Sequence, residues 1–226
     1  MPRPAPTQLP RTPRADVSAQ VVDPRYARLV GGEAWRALPE AVRRRFTKRL
    51  GAGDAVLYRG QVVYTRINAA GLVLANALRL TAAPLPLDRG NAGATAVVSV
   101  TEDSEGDGQF WLRQYGRRGA GFPQTVRSTK RFTGPTGCEE WVSRWLGMSL
   151  RVSAVPDGLV FQSHRYMLRL LGLRVPLPHW LTPGPLTVGH HANADGTFDF
   201  TLTLQHPVFG TLLDQRIRFH DQEDAP

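Results

Sequence analysis

The 226-residue chain carries one cysteine, Cys138, and two lysines, Lys48 and Lys130. A single thiol rules out an intrachain disulfide and a structural zinc site of the multi-cysteine type, so nothing argues for an oxidising compartment. The six histidines show neither HExxH nor HxH spacing. His190 and His191 are adjacent, so on a strand they face opposite ways and cannot grip one metal together. No metal and no cofactor is expected. The signatures G-x-S-x-G, G-x-x-x-x-G-K-S/T and G-x-G-x-x-G are missing too, which removes the usual support for a hydrolase, a nucleotidase or a dinucleotide-dependent enzyme. No catalytic residue is expected. The longest membrane-like run, residues 67–80, is interrupted by Asn68, Asn76 and Arg79 and falls short of the ~20 residues a spanning helix needs. The proline-rich start has no apolar core of the kind a signal peptide requires. A soluble, cytoplasmic protein is the expectation.

Basic charge is plentiful, at a formal +9, but unevenly placed. Residues 1–50 hold eleven Lys or Arg against four Asp or Glu, while the remaining 176 residues hold seventeen against fifteen. The body is thus nearly neutral, and nucleic-acid binding would have to rest on the first 50 residues. Residues 1–22, with five prolines and no apolar cluster, read as a disordered Pro/Arg-rich arm. Residues 23–221 read as one globular domain; the 42% apolar content suits a packed core, and the 22 glycines and 18 prolines suit many turns.

Periodicity assigns the class. Phe198, Phe200, Leu202 and Leu204 alternate with polar residues, the period of a half-buried antiparallel strand. The same pattern predicts strands at 57–66, 95–102, 109–115, 124–132, 150–155, 159–168, 186–192, 197–204 and 211–220. The turns are supplied by residues 103–108, Pro156-Asp-Gly158 and Asn193-Ala-Asp-Gly196. Helices are predicted after Asp23, as N-cap, with Pro24 at the first helical position and Gly31-Gly32 as breaker. Two more are expected over 39–50, with a cationic face, and over 67–80. The expected fold is α+β and mainly antiparallel β, a curved sheet or β-barrel, lipocalin-like in outline, with N-terminal helices.

Two strands carry mixed faces. In Gln109-Phe-Trp-Leu-Arg-Gln-Tyr115 the period of two puts Trp111, Arg113 and Tyr115 together. Two aromatics around an arginine make a wall that can stack on and charge-pair with an amphipathic acid, or an outward cation–π stripe. In residues 159–166, Val160, Gln162, His164 and Tyr166 share a face that can line a polar pocket. The proline-rich stretch 175–183 presents Leu177, Trp180 and Leu181, which either pack under the sheet or form an apolar lip. Trp111, Arg113, Tyr115, His164, Tyr166 and Trp180 are the candidate ligand-binding residues. Cys138 has no activating neighbour in sequence and is read as inert.

Several motifs, in order along residues 24–220, resemble the bacterial family called domain of unknown function 4166, DUF4166. They are Gly32-Glu-Ala-Trp35 with Leu38-Pro39, Trp111-Leu-Arg113, Leu171-Gly-Leu-Arg-Val-Pro-Leu-Pro-His-Trp-Leu181, Asp195-Gly-Thr-Phe-Asp-Phe200 and His206-Pro-Val-Phe-Gly210. The resemblance implies a module without an assigned activity, similar in some members to a C-terminal extension of dinucleotide-binding, dehydrogenase-like proteins. Where that pattern leads one to expect an acidic residue before the Asp195-Gly196 hairpin, this chain has Gly189-His-His-Ala192.

The leading expectation is a binding module for a hydrophobic or amphipathic, lipid-like small molecule. The alternative is a non-enzymatic accessory module that docks on a separate oxidoreductase through its apolar proline loops. A lipid-active enzyme using His164 or a distant carboxylate as base, and a nucleic-acid binder, rank below both.

Overall fold

The residues of β1 (Ala55–Ile67) turn Val56, Tyr58, Gly60 and Val62 inward and leave Leu57, Arg59, Gln61 and Val63 exposed. That is the burial of a strand with one face on a core and one on solvent. The computed structural model describes residues 22–51, 53–80, 85–103, 106–117 and 121–221. A register shift between Val62 and Tyr64 makes Val63 an extra residue and passes the inward role to Thr65 and Ile67.

Ten further strands follow: β2 (Thr95–Asp103), β3 (Gly108–Tyr115), β4 (Gln124–Arg131), β5 (Glu139–Trp141), β6 (Leu146–Val155), β7 (Gly158–Leu170), β8 (Leu173–Pro176), β9 (Leu186–Ala192), β10 (Thr197–His206) and β11 (Gly210–His220). They pair antiparallel in the order β6-β5-β4-β3-β2-β1-β11-β10-β9-β7, and β6 pairs with β7 to close the ring. Ten strands form the barrel; β8 hangs from the far end of β7 as a short hairpin. The predicted antiparallel barrel with N-terminal helices is therefore what the chain forms.

Its two ends are finished differently. Helices α1 (Arg25–Val30), α2 (Gly32–Ala37) and α3 (Glu40–Phe46) lie at one end. There Tyr26 donates its hydroxyl to Gln109 Oε1 at 2.9 Å, and the Phe46 ring meets His190 and Phe161. Arg45 forks onto Asp221 at 3.1 and 2.8 Å while lying over the Phe198 ring. The last helix, α4 (Ala69–Leu80), crosses the other end, capped by Asn68, whose Oδ1 accepts the Gly71 N–H at 2.7 Å. Gly71 is required by close packing: a Cβ there would stand 2.1 Å from the Leu212 carbonyl oxygen. Among the described residues no helix is long and apolar enough to cross a membrane.

Several local expectations needed correction. Pro24 is the N-cap of α1, while the buried Asp23 carboxylate accepts the Arg25 N–H and guanidinium. The helix predicted over 39–50 is α3 alone and stops at Phe46, because Thr47 and Lys48 are drawn into pairing with Asp23 and Val22. Strands β5 and β8 had no counterpart, being only three and four residues long. The predicted N-terminal arm lies outside the described residues except for Val22.

Candidate ligand cavity

The half of the barrel under the N-terminal helices is packed solid with Phe161, Phe198, Phe200, Phe219, Leu159 and Ile217, and the half under α4 is hollow. The cavity measures about 790 Å³. Its roof is the face of α4 bearing Val73, Leu74 and Ala77, and its walls include Tyr115, Val126, Met148, Tyr166, Val188 and Leu204. One side of the mouth is the loop holding the 3₁₀ turn His179–Leu181, with Leu177 half-buried and Trp180 80% exposed at the rim. Tyr166 pins that loop by donating its hydroxyl to the Gly184 carbonyl at 2.9 Å. Gly184 sits at φ +88°, where a Cβ would meet the Gln205 carbonyl oxygen, so glycine alone lets the lip lie this close to β10.

Polar groups gather on the floor. Arg113 Nη1 donates to Ser128 Oγ at 3.0 Å, and Ser128 donates to Glu140 Oε1 at 2.6 Å. Arg113 Nη2 and Lys130 Nζ stand 3.5 and 3.4 Å from the same carboxylate oxygen. Two cations thus share one carboxylate in an apolar interior, an excess of one positive charge. Burial pushes the Lys130 ammonium down from its usual range, partly offset by Glu140. Burial alone would raise the Glu140 carboxyl, but Lys130, Arg113 and the Ser128 hydroxyl together hold it below the usual carboxylate range. Beneath them His190 is pushed well below its ordinary value by burial and by Lys130, Arg45 and Arg113, so it is neutral. Neither of its ring nitrogens has a hydrogen-bond partner among the described residues.

This chemistry can hold an anion, and the thiol and phenols around it stay protonated. Burial drives the Cys138 thiol up to about 12, and the Tyr115 and Tyr166 phenols also rise to about 12 for the same reason. Among the described residues no group of three or more His, Cys, Asp or Glu is placed to hold a metal.

Four of the six residues singled out from sequence, Arg113, Tyr115, Tyr166 and Trp180, line this one cavity. Trp111 shares the inward face of β3 but lies a layer deeper, with Lys130 Nζ 4.6 Å from its ring. Phe110 and Leu112 point outward. His164 stands exposed on the outside and does not reach the cavity. Ser149 pairs with Arg165 and Leu150 with Ser163, which makes His164 the extra residue of a bulge. Leu159 and Phe161 point inward before it and Tyr166 after it, so the face predicted to hold both His164 and Tyr166 is split. His190 and His191 do face opposite ways; His191 lies outside, 3.1 Å from Asp157. Ser128, Lys130 and Glu140 were missed. The period of two along β4 could have aligned Ser128 with Lys130, but only the cross-strand pairing brings Glu140 to them.

Among known proteins, a family model described as Domain of unknown function (DUF4166) matches residues 38–219. No curated protein and no solved structure matches the chain.

Proposed function

The chain belongs to the DUF4166 family, and we propose that this member is a small-molecule container, binding one hydrophobic or amphipathic molecule inside the hollow half of its barrel. The observation that carries this reading is the apolar cavity of about 790 Å³ ending on the Arg113–Ser128–Glu140 floor. Small-molecule sites are commonly ~300–1,000 Å³ and pair apolar walls with a few convergent polar groups. The apolar walls would take a chain or ring system, and the surplus cation at the floor would favour a molecule with an acidic end over its neutral analogue. The exposed Trp180 at the rim suits an apolar guest that must pass from water into the barrel.

The test is native mass spectrometry of the purified protein with identification of any extracted small molecule, followed by competition of decanoate and decanol against an apolar fluorescent probe. Decanoate should compete more strongly, and Arg113→Met should cost it about tenfold in affinity while leaving decanol nearly unchanged, a difference of about 1.4 kcal/mol. No probe binding by folded protein would overturn the container reading. Equal competition by acid and alcohol would overturn the role of the floor.

The accessory-module reading draws on the exposed Trp180 and Leu181. A separately encoded oxidoreductase recovered on the wild-type protein and lost with Trp180→Ser would favour it.

A further inference from the structure

A second concavity, about 1050 Å³, lies outside the barrel against β3, β4 and β5, between the C-terminal end of α4 and the last residues of β7. Four arginines line it, Arg127, Arg131, Arg144 and Arg169, and no carboxylate does. Of the four, only Arg131 forms an ion pair among the described residues, with Asp103 at 3.4 Å. Arg169 and Arg144 lie over aromatic rings, at 4.2 Å from Trp141 and 4.5 Å from Trp145, contacts that do not neutralise them. Gly147 makes the first stack possible, because a Cβ there would strike the Trp141 ring that it faces across β5 and β6. Burial and the nearby cations Arg131 and Arg174 together lower the Arg169 guanidinium from its usual value, against a smaller opposing pull from Glu139.

Crowded guanidinium groups with few acidic partners are costly unless an anion completes them. We propose that this outer groove is a binding site for a phosphoryl group, its oxygens taken by Arg127, Arg144 and Arg169. A phosphate monoester supplies up to two negative charges and three acceptor oxygens, which matches several forked donors better than a single carboxylate does. The site does not depend on what the barrel holds. The two are nonetheless contiguous: β4 pairs with β5 only over Thr129–Arg131, leaving the wall notched beside Gln124–Ser128. Leu78, Arg127, Ser128, Val142 and Leu146 line both spaces along that notch. The phosphoryl group therefore belongs either to a free phosphorylated molecule or to an amphiphile whose chain passes through the notch.

Calorimetric titration with inorganic pyrophosphate and with dodecyl phosphate below its micelle concentration tests the site, with dodecanol as neutral control. Both arginines in Arg127→Gln/Arg144→Gln are exposed, so this double variant should fold like the wild type. It should bind either phosphate at least about tenfold more weakly, whereas Arg59→Gln/Arg151→Gln, with the same loss of charge elsewhere, should change affinity less than about twofold. Equal affinity for the two phosphates would identify a free phosphorylated ligand. Tighter dodecyl phosphate that also displaces an apolar probe from the barrel would identify the amphiphile. Failure of both phosphates to bind, or equal weakening by the two double variants, would overturn the proposal. Dodecanol binding in that case would leave the container reading standing, so the two failures are separable.

Discussion

Lys130 on β4 and Glu140 on β5 are direct cross-strand partners inside the barrel, with Nζ 3.4 Å from Oε1 and both side chains buried. An ion pair in such a place is weak evidence for stability, since desolvation offsets much of its attraction, but breaking it strands a charge. Glu140→Gln would leave Lys130 and Arg113 without a counter-charge and should destabilise the fold by about 3–5 kcal/mol. Lys130→Met/Glu140→Leu should recover much of that loss. Urea unfolding of the two variants decides it; a double variant no more stable than Glu140→Gln would refute the account.

The same carboxylate makes the fold acid-sensitive. The folded value of Glu140 lies below its unfolded one, so its stabilisation is complete above about pH 4.3 and fades as the pH falls through the folded value.

His190 adds a second acid limb at higher pH. It stays neutral in the folded barrel, whereas an unfolded histidine takes up a proton below about pH 6.5. Stability should therefore decline on acidification from about pH 6.5, by up to about 1.4 kcal/mol per pH unit. His190→Leu, which also removes two unpartnered nitrogens, should flatten the profile between about pH 6.5 and 5 and raise stability at pH 7 by about 1 kcal/mol or more. Denaturant midpoints across that range provide the check, and an unchanged slope would contradict it.

Cys138 should resist iodoacetamide in the native protein at pH 8 and react promptly once unfolded, because burial keeps its thiol protonated. Mass spectrometry after timed labelling gives the answer; rapid native labelling would mean that the sealed end of the barrel opens.

At the roof, Gly71→Ala would drive a methyl group against the Leu212 carbonyl. The expected cost is about 1–3 kcal/mol, accompanied by faster amide exchange in α4 than in the barrel strands. Uniform exchange across both would show that α4 is not a separate lid over the cavity.

His164→Ala should change stability by less than about 0.5 kcal/mol and leave occupancy of the barrel unaltered, because the side chain stands outside it. A clear loss of binding would place the site elsewhere.

What could be read along the chain was whatever one segment imposes on itself. Alternation marked nine of the eleven strands, including β9 to the residue, and placed Trp111, Arg113 and Tyr115 on one face, which the barrel turns inward. Apolar spacing marked α4, and the missing motifs narrowed the plausible chemistry. The rest depended on pairing between segments distant in sequence. Closure needed β1 against β11 and β6 against β7. The bulge at His164 reversed the parity of β7, an event of register that the composition of residues 159–166 does not encode. Strand β5 exists because β4 and β6 flank it, and only that pairing sets Glu140 beside Lys130 and Ser128. The sequence by itself determined most of the elements and the alternation within each, because periodicity is local. The tertiary structure alone decided which faces meet, and with that the cavity, its charged floor and the notch beside it, because cross-strand contact energies belong to pairs of segments.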